Sequence, residues 1–334
     1  MVYIPKKVSI EDVARLAGVS EATVSRVINK LGTVKKINRI KVEDVIKRLK
    51  FVPNVSAQRL AKGVSNSIAL VIPHYEGIFF SFFAIEILRG VGIACEQLKM
   101  DLLLHIAKGE DSFNLKGLGG VIFADILNNR KQLEKAVAED VNCVVINNLV
   151  EDLKVSSIYI DNKKGAQLAV EYLIGLGHKE IAVVTGDLMT QAAAERLEGY
   201  KDALGKKKIP IRDDFIIKGD YSRRCARDAA EKLLSLDKRP TAIFACSDDM
   251  ALEVMQVVME HNLKVPKDVS IIGFDDNPQC LYAPIALTTV RQPLLEMSKR
   301  AVLLLKDLIS SKKQETSKEL LSTQLVIRDS CQAV

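Results

Sequence analysis

Glu21, Ala22, Ser25 and Arg26 stand at i, i+1, i+4 and i+5. On a helix that spacing gathers a carboxylate, a methyl, a hydroxyl and a guanidinium on one face, near one end. Nothing in this set is arranged to make or break a bond. It is an array of acceptor, apolar and donor groups, the kind that can read base-pair edges in a DNA major groove. The neighbouring residues must then build a helix fit to enter a groove. Ser20 can cap its start, and Glu21 lies at the positive end of its dipole. Val24, Val27 and Ile28 supply an inward stripe. Ahead of it, Ser9 and Asp12 form a capping-box pattern for another helix, whose apolar face is read as Val13, Leu16 and Ala17. Gly18 falls where that helix must end in a left-handed turn, which glycine adopts without a Cβ penalty. The run VSIEDVARLAGVSEATVSRVIN at 8–29 therefore reads as a helix-turn-helix whose second helix is the reading helix.

An ordinary pair of capped helices would show the same local pattern, and charge separates the two cases. Residues 1–64 carry 14 Lys+Arg and 5 Asp+Glu, a net +9, whereas the whole 334-residue chain is +6, leaving −3 for the rest. Positive charge concentrated in one small segment is the footprint of phosphate binding rather than of general solubility. Lys35, Lys36, Arg39, Lys41, Lys47, Arg48 and Lys50 crowd the stretch after the reading helix and supply candidate phosphate contacts. Val42, Val45, Ile46 and Leu49 recur at helical spacing and close a three-helix core. Pro53 ends that helix. Asn54 to Gly63, NVSAQRLAKG, then leaves room for barely two turns between a capping Asn and a terminating Gly. A helix so short needs outside support, because nucleation is costly. It serves either as a plain linker or as a hinge helix that forms on DNA and presents an apolar side chain to the minor groove.

The remainder has the make-up of a globular chain, 48% hydrophobic and 27% charged overall. Met1–Pro5 is followed at once by Lys6 and Lys7 with no apolar stretch, so no signal peptide is expected and a cytoplasmic location is. No apolar run approaches the ~18 residues of a membrane span. The six cysteines are scattered without a CxxC pair and read as small buried residues. The four histidines lie far apart, so no metal site and no cofactor is expected.

From Ser67 onward β-rich runs alternate with helical periods. Strands are expected at 68–72, 102–106, 120–124, 143–146, 157–160, 181–185, 242–246, 270–274 and 287–291. Helices are expected at 79–98, 163–176, 190–204, 223–236, 249–261 and 294–309. Most of the strand runs are β-branched without polar alternation, as in parallel strands buried on both faces. Repeated βα units predict an α/β fold of two doubly wound lobes, with a ligand cleft beyond the strand C-termini. Such folds often serve enzymes, but the chemistry for one is missing. GVGIAC at 90–95 lacks a third glycine, GLGHKE at 175–180 and GLGG at 117–120 precede strands rather than follow them, and no P-loop, Ser/His/Asp set or carboxylate pair stands out.

IEDVARLAGVSEATVSRVIN, VPNVSAQRLAKG, SIALVIP, HKEIAVVTG, AAAERLEGY, RPTAIFACSDDMAL, VPKDVSIIGFDD and LTTVRQP together make the chain resemble the lactose-repressor/galactose-repressor (LacI/GalR) family of bacterial transcription regulators. The resemblance runs through almost the whole length. It implies a helix-turn-helix headpiece at 1–53, a hinge helix and linker at 54–65, and a periplasmic-binding-protein-like domain at 66–334. The last would comprise an N-lobe of about 66–160 plus 290–319 and a C-lobe of about 161–288 plus 320–334. It implies a homodimer on a near-palindromic double-stranded operator, controlled by a small molecule, a sugar or sugar derivative, between the lobes. The alternative is a pleiotropic regulator that also answers to a protein partner. The implied DNA contacts are Ser20, Glu21, Ala22, Thr23, Ser25, Arg26, Asn29 and Arg39, with Leu60 as the minor-groove wedge and Ala57 at the paired-hinge contact. The implied effector contacts are Phe79, Phe80, Asp161, Arg196, Ser247 and Asp275. Asp161 and Asp248 have a competing role as helix caps, preferred for Asp248, and Arg196 could be a structural ion-pair partner. The chain departs from the family in three places. The 105–120 segment lacks about ten residues that usually include a helix. Glu76, Gly77 and Ile78 replace the usual Ser-Asn-Pro. Lys35 stands where a capping Ser is usual.

Overall fold

Ser9 and Asp12 do what their spacing predicts: the Ser9 Oγ accepts the Asp12 N–H at 3.1 Å and the Asp12 carboxylate accepts the Ser9 N–H at 3.0 Å, starting α1 (Ile10–Ala17). Gly18 ends it at φ 66, and its N–H turns back to the Ala14 and Arg15 carbonyls. The computed structural model describes residues 8–28, 33–51, 66–75, 78–109, 113–311 and 315–334, and divides into units 1–65 and 66–334. In the first unit α2 (Glu21–Ile28) and α3 (Lys36–Leu49) follow. Val13, Ala14, Ala17, Val24, Val27, Val42 and Val45 close the core. The expected stripe of α1 needs one correction: Leu16 is 49% exposed and Ala14 takes the inward place. Ile10, Val13, Ala14 and Ala17 keep the i, i+3, i+4, i+7 spacing that Leu16 breaks. Lys35 precedes α3 without a side-chain cap, since its ammonium cannot accept from an N–H.

The second unit runs β1 (Ser67–Pro73), a 3₁₀ turn (Ile78–Phe80), α4 (Phe82–Leu98), β2 (Asp101–Ala107), β3 (Gly120–Ala124), α5 (Arg130–Ala138), β4 (Asn142–Ile146), β5 (Ser156–Ile160), α6 (Asn162–Gly175), β6 (Ile181–Val184), α7 (Gln191–Lys206), β7 (Ile216–Ile217), α8 (Arg223–Leu234), β8 (Ala242–Ala245), α9 (Asp248–Glu260), β9 (Ser270–Asp275), β10 (Thr288–Arg291), α10 (Leu294–Ser310), β11 (Lys318–Leu321) and β12 (Gln324–Val326). One sheet has the order β11-β5-β4-β3-β1-β2 and the other β12-β10-β9-β8-β6-β7. All pairs are parallel except β10 with β12. The chain passes from the first lobe to the second after β5. It returns with α10, which packs on α4, adds β11 to the first sheet, and ends with β12 in the second. His178 fastens the tail: its ring nitrogens meet the Thr241 and Ser270 hydroxyls at 2.9 and 3.1 Å and the Gln332 carbonyl at 3.1 Å.

All nine expected strands form, within a residue or so. The expected helix from 79 begins instead as a 3₁₀ turn, with α4 starting at Phe82. Helix α5 and the short strands β7, β11 and β12 were not legible. Helix α5 buries only Gln132, Leu133 and Ala136, too few apolar positions to show a period. The shortened 105–120 segment has no helix among its described residues. Phe113, Leu115 and Leu118 cover that face of the first sheet instead, with Phe113 stacked on His105 at 4.5 Å. Leu103 on the edge strand β2 stays 48% exposed.

Candidate functional site

Helix α2 presents Glu21, Ala22 and Arg26 to solvent, opposite buried Val24 and Val27, with Thr23 and Ser25 half-buried. The exposed Ser20 acts as the cap: its Oγ accepts the Thr23 N–H at 3.3 Å and lies 3.0 Å from the Thr23 hydroxyl. Cap and reading face thus share the start of the helix, where N–H groups and dipole favour phosphate. Arg39 is half-buried on α3, and Lys35, Lys36, Lys41, Lys47, Arg48 and Lys50 are exposed. Asn29, Ala57, Leu60, Glu76 and Gly77 lie outside the described residues.

In the second unit the polar residues gather where parallel strands end. Tyr75 follows β1, Asp125 follows β3, Asn147 follows β4, Ser247 follows β8, Asp275 ends β9 and Gln292 follows β10. Asp125 and Ser247 flank the points where each sheet order reverses, the usual place for a ligand. Arg196 on α7 reaches this region from within, only 3% exposed. Its Nε donates to Asn162 Oδ1 at 2.9 Å, one Nη donates to the Cys246 carbonyl at 2.6 Å, and its face lies 3.7 Å from the Phe274 ring centroid. Its charge acts on both Asp125 and Asp275. Asp275 sits at φ 132 and Asp276 at φ 62. Non-glycine residues there store strain of order 1–3 kcal/mol, typical of ligand sites. Asp276 is held by Arg291 and Arg328, each at 2.5 Å. Burial, with Asp248 and Asp249 nearby, holds the Asp275 carboxyl well above its ordinary range against the pull of Arg196.

Asp248 departs from the cap role preferred for it, and Asp161 takes the cap role that competed with effector contact. Ser247, not Asp248, caps α9, accepting the Met250 N–H at 3.3 Å. Asp248 is fully buried one residue later, accepting the Asn277 N–H at 2.7 Å and the Thr289 hydroxyl at 2.5 Å. It ties α9 to the loop after β9 and to β10. Burial pushes its carboxyl up to about 6. Gly273 leaves just enough room, since a Cβ there would lie 2.2 Å from the Asp248 Oδ1. Asp161 is exposed and caps α6, accepting the Lys164 N–H at 2.7 Å; its neighbour Asn162 is the one that meets Arg196. Phe79 and Phe80 are 65% and 88% exposed on their turn.

The lobes also touch directly. Gln191 Oε1 on α7 accepts from the Leu149 N–H at 3.1 Å and from Asn148 at 3.3 Å. The Phe82 N–H, at the start of α4, donates to Asp249 on α9. Tyr75 feels Asp125, Asp249 and Asp275, and burial pushes its phenol up to about 12. Tyr75, Asp125, Asn147, Asn162 and Gln292 were not singled out from sequence. The available signal was a polar residue directly after a β-rich run, as in GVIFA-Asp125, NCVVI-Asn147 and TTVR-Gln292.

A basic helix-turn-helix unit in the same chain as a two-lobed α/β unit with a polar cleft defines a ligand-responsive DNA-binding regulator. Residues 9–54 match the model of bacterial regulatory proteins of the lacI family, and 170–331 match a periplasmic binding protein-like domain. The probable HTH-type transcriptional repressor ExuR of Bacillus subtilis (strain 168) is 33% identical over 97% of this chain and 98% of its own. A transcriptional regulator CelR–cellobiose complex superposes with a TM-score of 0.74 at 29% identity, covering 97% of this chain and 99% of that one. The lac repressor dimer bound to operator and the anti-inducer ONPF gives 0.83 at 27% identity, covering 98% and 100%. The chain belongs to the LacI family of bacterial regulators and is a transcriptional regulator, not an enzyme. Among the described residues no helix is long and apolar enough to cross a membrane.

Proposed function

We propose that this chain is a cytoplasmic, homodimeric repressor whose hold on a near-palindromic operator is set by a small polar molecule, a sugar or sugar derivative, in the inter-lobe cleft. Residues 1–53 form the headpiece, 54–65 the hinge and 66–334 the effector domain. Glu21, Ala22, Ser25 and Arg26 read bases, with Ser20, Thr23, Asn29 and Arg39 at the backbone or groove edge. Leu60 is the minor-groove wedge and Ala57 the hinge-pair contact. In the cleft, Arg196 and Asp275 grip hydroxyls, Ser247 lies beside them, and Phe79 and Phe80 close over the first-lobe side. Ligand that prefers one angle between the lobes shifts a two-state equilibrium and changes hinge presentation. A relative named as a repressor, a neighbour bound to cellobiose and a neighbour bound to operator as a dimer support this reading. No observation favours the protein-partner alternative.

The observation that carries the cleft assignment is buried Arg196, held by Asn162 and the Cys246 carbonyl with its charge facing carboxylates of both lobes. The test is fluorescence anisotropy of labelled operator DNA, selected from a random library, titrated with sugars. Arg196→Ala should bind the operator and lose the sugar response. Retention of a full response removes the cleft assignment.

A further inference from the structure

Two buried amides lie beside two cleft carboxylates. Asn147, 4% exposed, follows β4 next to Asp125 after β3, where Ala124 and Ile146 are in register, and its side chain favours the ionised Asp125. Gln292, 5% exposed, donates its Nε2 to Asp275 Oδ1 at 2.5 Å. An ionised carboxylate only accepts, so the nitrogen must face it and the amide oxygen must point elsewhere. Both of those oxygens, Asn147 Oδ1 and Gln292 Oε1, are buried without a partner among the described residues. One pair belongs to each lobe. Buried polar atoms are satisfied as a rule, so a matched pair of orphaned acceptors calls for donors from outside the chain.

The charge balance points the same way. Asp249 has Arg223 at 3.9 Å and the Phe82 N–H. Asp248 is turned to Thr289 and Asn277. Asp125 accepts the Ile126 N–H at 2.8 Å, but for a compensating cation Asp125 and Asp275 share Arg196, whose hydrogen bonds go to Asn162 and the Cys246 carbonyl. Glu195, bonded to Gln191, adds to the negative side. The site therefore holds surplus acceptors, and burial raises the Asp125 and Asp275 carboxyls because Arg196 alone does not compensate their ionised forms; a bound cation would. A carboxylate or phosphate would bring more acceptors and more negative charge. A hydroxyl brings one donor and two acceptor lone pairs. An ammonium brings three donors, no acceptor and one positive charge.

We propose that the cleft selects an effector bearing a protonated amine toward Asp125 and the Asn147 amide oxygen, so that amino sugars or amine-bearing polyols are preferred to their neutral and acidic counterparts. This rests on the reading that the effector lies between the lobes. Asp125 is then the residue that sets the charge class, and Arg196 and Asp275 hold the hydroxyls.

The test uses the full chain and a matched panel: glucose, galactose, mannose and ribose, their amino-deoxy forms, and the uronates of the three hexoses. Melting midpoints are read at about 10 mM ligand and about pH 6.5, where such amines are protonated. Calorimetry follows on every member that raises the midpoint. An amine-bearing member is expected to give the largest shift and to bind at least about tenfold more tightly than its neutral counterpart. In Asp125→Asn that preference should fall to within about threefold. The proposal is overturned if a neutral or acidic member wins, if no amine-bearing member shifts the midpoint, or if Asp125→Asn keeps the preference. Arg196→Ala separates the two readings. If a neutral sugar wins and Arg196→Ala loses it, the cleft stands and only the amine falls. If Arg196→Ala binds the winner as well as the parent does, the cleft itself falls.

Discussion

Replacing Asp248 with Asn should make this protein more stable at neutral pH. Asp248 is fully buried, and its carboxyl is pushed from 3.8 up to about 6, chiefly by burial. At ~1.36 kcal/mol per pH unit, that difference is a cost to the folded state of about 3 kcal/mol at pH 7.5. Asn can keep the local bonds: Oδ1 accepts the Asn277 N–H, and Nδ2 donates to the Thr289 oxygen, which can accept as well as donate. The variant thus removes a buried charge without orphaning its partners. Between pH 3.8 and about 6 the folded state holds the proton that the unfolded state releases, so parent stability falls as pH rises through that window. The gap between variant and parent should be about 3 kcal/mol at pH 7.5 and about half that at pH 5. Loss of the Asp248 charge also lets the Asp275 carboxyl fall, which widens the gap in the same sense. Urea unfolding at the two pH values measures the gap, and calorimetry should show the melting midpoint raised by about 5–10 °C at pH 7.5. A variant less stable than the parent at pH 7.5, or a gap equal at both pH values, refutes the reasoning.

Gly273→Ala should act in the opposite sense. Its Cβ would fall 2.2 Å from an oxygen pinned by Thr289, so the carboxylate must give up a bond, at a cost of about 3 kcal/mol seen in the same urea series. Ser9→Ala removes one half of the capping box and should lower headpiece stability by about 1 kcal/mol, read as faster hydrogen exchange in residues 10–17 with 66–334 unchanged. Arg26→Ala should change which operator is preferred. Lys36→Ala and Lys47→Ala should weaken all DNA alike and make the salt slope shallower by about one for each phosphate left without its lysine; gel shifts over salt and operator variants distinguish these outcomes.

The local and repetitive parts of this molecule were readable from residue types and spacing alone. Ser9, Asp12 and Gly18 act within one turn of their own helix, so spacing alone identified their roles. The β-branched runs marked the central strands, because a strand buried on both faces has no polar positions to obscure it. The charge of residues 1–64 needed only counting. Features that depend on neighbours distant in the chain were set by the fold. Strand β11, KELL, pairs with β5 some 160 residues earlier, and nothing in its own composition says so. Whether Asp248 caps its helix or is drawn into the interior depended on Thr289 and Asn277, which come from other elements. That Arg196 bonds Asn162, beside the capping Asp161, depended on which of two adjacent residues points inward as α6 begins. A cap is a contact between near neighbours and is written in the local sequence. A cleft is the meeting of strand ends that only the folded sheets bring together.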